Sequence, residues 1–193
     1  LIVVGSPPAV APADVGGDQA KADTENQKRS AEGEIDKKVA AAEGAVYADV
    51  YGTIKAALDK AKSLQGANYV NQHGLADALQ LAIAQAYLKA LGFDGDLGSI
   101  SIDFAANTGD GTEGHKVGPI SPDHKFTVES TRYPFWFPAH GVGGNEPPPW
   151  PALSFLTFNQ DLDRFTLTVK NLPSARTKIY WGDMNQDFSS ADL

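Results

Sequence analysis

The sequence has 193 residues, 42% hydrophobic and 21% charged, which is room for one domain with a real core or for two small ones. Sixteen basic residues against 24 acidic ones leave a net charge of −8, and without a polybasic cluster such a chain is not expected to bind nucleic acid or an anionic membrane surface. The absence of cysteine excludes disulfides, thiolate metal sites and a cysteine nucleophile, and the apolar run Leu1 to Val4 is too short for membrane insertion or a signal segment.

In chain order, Leu1 to Val4 is apolar and largely β-branched, then breaks at Gly5-Ser6-Pro7-Pro8. It reads as a short buried strand running into a loop. The opening has no methionine and starts on this strand, as a processed or partial chain would. Residues 9 to 24 are rich in Ala, Gly, Pro and Asp and read as a surface loop. Thr24 to Glu43 is charged and alanine-rich, with Ile35 and Val39 at i, i+4, which predicts an exposed amphipathic helix. Gly44 stands where a C-cap glycine belongs. A second buried strand is predicted over Ala45 to Val50, and a helix over Ile54 to Leu64 with Ile54, Leu58 and Ala61 on one stripe. The strongest helix signal runs from Asp77 to Leu91. There Leu79, Ala82, Ile83, Ala86, Tyr87 and Ala90 follow i, i+3, i+4 spacing, and Gly92 ends the run. Strand and helix alternate, as in an α/β layer fold.

The character changes after Gly92. Ser99 to Phe104, Lys125 to Ser130, Arg164 to Val169 and Lys178 to Trp181 are short β-rich runs separated by turn residues. His140 to Pro151 holds Gly-Val-Gly-Gly-Asn and three consecutive prolines and reads as an irregular, exposed loop. The sequence therefore divides into an α/β part, residues 1–95, and a β-rich extension, residues 96–193.

Several strings together resemble one family. Ala84-Gln85-Ala86-Tyr87-Leu88-Lys89-Ala90-Leu91-Gly92-Phe93-Asp94-Gly95 is similar to the last helix of SGNH/GDSL hydrolases and the turn after it. Gly114-His115-Lys116-Val117, Glu129-Ser130-Thr131-Arg132-Tyr133-Pro134-Phe135, Phe158-Asn159-Gln160-Asp161-Leu162 and Trp181-Gly182 resemble the β-rich appendage of a bacterial subgroup. The resemblance implies the C-terminal half of a flavodoxin-like, three-layer α/β domain followed by that appendage. It also implies hydrolysis of acyl or acetyl esters, on carbohydrate among other substrates. It implies no cofactor and no metal, and an extracellular or periplasmic location.

Hydrolysis of this type needs a serine activated by a histidine, a carboxylate that orients the histidine, and donors aimed at the developing oxyanion. His73 lies before the long helix, where the family places its base, and takes that role by resemblance; the alternative is a surface or loop-packing histidine. The rest of the motif departs from the family. Val70 stands where the family has aspartate, Asn71 and Gln72 carry no charge, and Gly74 replaces the usual proline. Asp77 reads as the cap of the following helix. Ser6 follows Gly5 after a strand, but no aspartate lies between them and Pro7-Pro8 removes backbone donors. Leu1 to Val4 is therefore read as a late sheet strand and Ser6 as a turn residue, with the nucleophile segment absent from this chain. The expected partner is that missing segment or another copy of the chain, since half a parallel sheet exposes an edge and an apolar face.

Other candidates have plainer readings. His115, His124 and His140 fall in the β-rich part, and Asp110, Glu113 and His115 fit no tight metal spacing, so solvated loop residues are expected. Asp94-Gly95-Asp96 lacks the glutamate that would complete a calcium loop and reads as a turn. Tyr133, Phe135, Trp136, Phe137 and Trp150 form either a seam of core or a carbohydrate-stacking platform. Two further functions stay open: a noncatalytic extracellular binding or assembly protein on the same scaffold, and a carbohydrate-binding module.

Overall fold

The computed structural model describes residues 1–63, 76–135, 137, 150–172 and 174–189. The chain is a mixed α/β protein of helices and small sheets, with no closed barrel among the described residues. It forms two compact units, one of Leu1–Gly95 with Trp136–Asp163 and one of Asp96–Phe135 with Arg164–Leu193. Residues 136–163, grouped with the extension in the sequence reading, thus belong with the first unit.

In the first unit, β1 (Val3–Gly5) pairs in parallel with β2 (Val46–Ala48), in the register Val3↔Val46 to Gly5↔Ala48. Helix α1 (Gln19–Ala42) connects them. Asp18 starts the helix by accepting the Lys21 N–H at 3.0 Å, which meets one of the donors a helix start leaves unbonded. At its end Gly44 adopts φ 66°, and the Ala45 N–H reaches back to the Ala40 carbonyl at 2.8 Å. The buried stripe of α1 is Ala22, Asn26, Gly33 and Ala40, whereas Ile35 and Val39, expected to mark its apolar side, are exposed. Small side chains let the helix backbone come close. A Cβ at Gly33 would lie 3.1 Å from Ser6 Cβ and 3.3 Å from the Tyr47 hydroxyl.

Helix α2 (Val50–Ser63) follows β2 almost at once and buries Val50, Ile54, Leu58 and Ala61. It begins four residues before the predicted start, because Asp49 caps it with a carboxylate oxygen 2.8 Å from the Gly52 N–H. Helix α3 (Ala76–Ala90) ends with Gly92 at φ 81° and the Phe93 N–H on the Leu88 carbonyl at 3.0 Å. A short 3-10 turn over Trp150–Ser154 and helix α4 (Phe158–Leu162) complete this unit. The resemblance had placed Phe158 to Leu162 in the β-rich appendage; it is helical. One core holds Ile54, Leu58, Ala82 and Ala86 from α2 and α3, with Phe155, Leu156, Phe158 and Leu162 from the returning segment.

In the second unit, β3 (Asp96–Asp103) lies between β4 (Thr108–Gly111), antiparallel to it, and β7 (Arg164–Lys170), parallel to it. Its buried residues alternate through Ile100 and Ile102, the period expected of a strand. β5 (His115–Val117) pairs with β6 (Val128–Ser130), and β8 (Arg176–Trp181) with β9 (Met184–Ser189), both antiparallel.

Candidate functional site

Parallel strands end on the same side of their sheet, and in open α/β sheets ligands bind beyond those carboxyl ends. Here Ser6 follows β1 and Asp49 follows β2. Ser6 is 4% exposed. Its N–H donates to the Ala48 carbonyl at 3.1 Å, and its Oγ accepts the Tyr51 N–H at 2.8 Å. The serine therefore ties the end of β1 to the first turn of α2. A nucleophilic serine needs a base within hydrogen-bond reach, and none of the described histidines bonds Ser6. Asp49, exposed beside it, holds the start of α2 through the Gly52 N–H.

The segment after Ser6 is anchored from α1. Asn26, buried at 9% exposure, brackets Val10 by accepting its N–H and donating to its carbonyl, both at 2.8 Å, and Arg29 donates to the Pro8 carbonyl at 2.7 Å. Ala9, Val10 and Ala11 are buried, where a surface loop was expected. Gly5 itself lies under the Tyr87 hydroxyl of α3, leaving no room for a Cβ. The sequence signal for Asn26 was faint, a polar residue in register with Gly33 on one helix face.

His73, the base assigned by resemblance, lies outside the described residues, as do Val70, Asn71, Gln72 and Gly74. In sequence they fall between the end of α2 at Ser63 and the start of α3 at Ala76. Asp77 sits in the first turn of α3.

A second polar group in this unit joins α3 to α4. Asp161 Oδ2 accepts from Lys89 Nζ at 2.5 Å, Thr157 Oγ1 at 2.9 Å and Gln85 Nε2 at 2.9 Å, and Gln85 Nε2 also meets Thr157 Oγ1 at 2.8 Å. Burial pushes the Asp161 carboxyl up, but the three donors and the Lys89 charge outweigh it and hold it below the usual range. Gln85 Oε1 is buried and has no partner among the described residues.

In the other unit His115, expected in a solvated loop, is 7% exposed. Its Nε2 lies 2.6 Å from the Leu97 carbonyl, so that nitrogen carries a proton; Nδ1 lies 2.9 Å from Ser130 Oγ, and the ring packs on Phe165 with centroids 4.7 Å apart. Gly98 makes space for the ring, since a Cβ there would fall 2.6 Å from it. This is a structural histidine. His124 occupies a turn at φ 60° with its ring edge-on to Phe104, and His140 lies outside the described residues. Among the described residues no three His, Cys, Asp or Glu side chains gather as metal ligands would. Gly95 turns at φ 68° against the backbone of Leu162. Of the aromatic concentration, Tyr133 and Phe135 are exposed, whereas Phe137 meets Phe158 edge-on at 5.7 Å in the first unit's core. Trp136 and the Trp150 side chain lie outside the described residues. No described helix is long and apolar enough to cross a membrane.

No family model matches the chain, and no curated protein matches it. Among solved structures it is similar to a gut microbial diltiazem-metabolizing enzyme, with a TM-score of 0.68 and 16% identity. The match covers 100% of this chain and 45% of that enzyme. The chain therefore spans less than half of that enzyme's length, and at this identity the likeness is one of fold.

Proposed function

We propose that this chain is part of an ester hydrolase on a three-layer, flavodoxin-like scaffold of the SGNH/GDSL type, acting on acyl or acetyl esters, including those on carbohydrate. The observation that carries the reading is the parallel β1–β2 pair crossed by α1, with α2 leading through the His73 segment to α3. Likeness of fold to an enzyme over the whole chain supports it. In this reading His73 is the general base: it takes the proton of a serine hydroxyl as that oxygen attacks the ester carbonyl, then returns it to the leaving alcohol. In this reading the serine and the oxyanion donors come from a segment outside residues 1–193, since Gly5-Ser6 lacks the family's aspartate and Pro7-Pro8 removes backbone donors. The location that fits such a hydrolase is extracellular or periplasmic.

The test is turnover of p-nitrophenyl acetate by the product of the whole reading frame. His73→Ala should lower kcat/KM about 10²–10⁴-fold. A whole-frame product that is folded and inert overturns the reading. Val70, in the place of the orienting aspartate, favours a second one: a noncatalytic binding or assembly protein on the same scaffold, which predicts no turnover with or without His73.

A further inference from the structure

The bonds that make His115 structural also settle the state of Ser130. The register of β5 against β6 sets His115 opposite Ser130, and beside that pair the Thr131 N–H bonds the Gly114 carbonyl at 2.8 Å. His115 and Ser130 are thus a non-hydrogen-bonded antiparallel pair, the arrangement in which facing side chains come closest. Nε2 keeps its proton on the Leu97 carbonyl of β3, so Nδ1 carries a lone pair, and the Ser130 hydroxyl 2.9 Å from it must donate. Phe165 of β7 lies against the ring and keeps it from turning. The histidine is buried and the serine half-buried, so a reagent meets the serine first. In a pair of this type the Ser130 N–H turns away from β5, and β6 has no second neighbour strand among the described residues. A hydroxyl on a basic nitrogen, with the other ring nitrogen held by an acceptor, is the geometry that activates a serine. Here a backbone carbonyl stands where a triad has its carboxylate.

We propose that Ser130 is a nucleophilic serine, with His115 as its base, which takes the acyl group of a small activated ester. Ser130 Oγ bonds to the ester carbon as its proton passes to Nδ1, and the imidazolium rests on the Leu97 carbonyl through Nε2–H. The Ser130 N–H supplies a backbone donor toward the charge on the attacked oxygen. The bond to the alcohol oxygen then breaks, that oxygen leaves with the proton from Nδ1, and Ser130 keeps the acyl group. The pair shares no residue with the hydrolase reading and does not depend on it.

The test treats the whole-frame product with a fluorophosphonate, which leaves a phosphonyl group on a nucleophilic serine and releases fluoride, and locates the adduct by peptide mass. Ser130 should be labelled about 10²–10⁴-fold faster in the folded protein than in urea, where the pair is broken. His115→Gln keeps an amide N–H for the Leu97 carbonyl but has no base, and it should slow labelling by a similar factor. Ser130→Ala should leave that peptide unlabelled. Absence of an adduct at Ser130, or equal labelling of the folded and the unfolded protein, overturns the proposal, and neither result needs a variant to fold. A His115→Gln protein that labels like the parent and keeps the parent's near-ultraviolet circular dichroism overturns it too. Labelling at Ser130 that persists in His73→Ala upholds it, whatever becomes of the ester turnover assigned to His73.

Discussion

Ser6 and Asn26 are buried polar side chains, and both hydrogen-bond to backbone. Asn26 meets the N–H and carbonyl of Val10, while Ser6 Oγ meets the Tyr51 N–H, so the segment after β1 is held from the helices on either side. Ser6→Ala leaves the part-buried Tyr51 N–H without its acceptor. The expected cost is about 1–3 kcal/mol of stability, read from urea unfolding. If the whole-frame product hydrolyses esters, this variant should keep its kcat, because the hydroxyl holds α2 in place and is not the attacking group. Loss of turnover without loss of stability would reverse that assignment and make Ser6 the nucleophile.

Helix α3 is held by two devices of different kinds: apolar contact through Ala82 and Ala86, and the polar group around Asp161. The second depends on pH. The Asp161 carboxyl is held below its ordinary range in the folded protein, so its contribution is fully present above the unfolded pKa, about 3.9, and is lost as pH falls through the folded value. Asp161→Ala should cost about 1–3 kcal/mol near neutrality, since Lys89 loses its ion pair and the buried Gln85 amide loses an acceptor. The two unfolding curves should converge as pH falls through the folded value; a gap that persists in acid would mean packing, not charge, sets the difference. Elements of this unit were legible in sequence to the extent that apolar periodicity marks them. Glycines 44 and 92 end α1 and α3 as their positions indicated. Val50 read as strand because it is β-branched, but Asp49 makes it the first residue of a helix. The contact face of α1 was invisible because close approach selects Ala, Asn and Gly there, which carry no hydrophobic signal. β4, the string Thr-Gly-Asp-Gly, and β9, polar and mostly exposed, show no apolar alternation and are defined by their partner strands. The burial of His115 depends on Leu97 and Phe165, far from it in sequence. At the candidate site Ser6 read as a turn residue; it is buried directly after β1, and its bond to Tyr51 spans 45 positions. His73 was chosen by resemblance and lies outside the described residues.

The chain leaves the first unit at Gly95 and comes back to it with residues 136–163, so neither half of the sequence contains that unit's core by itself. Phe155, Leu156, Phe158 and Leu162 are each at most 8% exposed, against Ile54 and Leu58 of α2 and Ala82 and Ala86 of α3. Burying a side chain of this size is worth about 1.5–3 kcal/mol, so these four contribute about 6–12 kcal/mol, close to the whole stability of about 5–15 kcal/mol of a small domain. A chain ended after Gly95 keeps β1, β2 and the first three helices, yet it exposes the surface those four side chains covered. It should therefore show helical far-ultraviolet circular dichroism without a cooperative thermal transition, and should bind a dye specific for exposed apolar surface. Adding residues 150–163 through a flexible linker should restore the transition; replacing Phe158 and Leu162 by serine in that added piece should abolish it again. A cooperative transition in the shortened chain would show that the returning segment is not needed for the core, and that a single cut at residue 95 divides the protein.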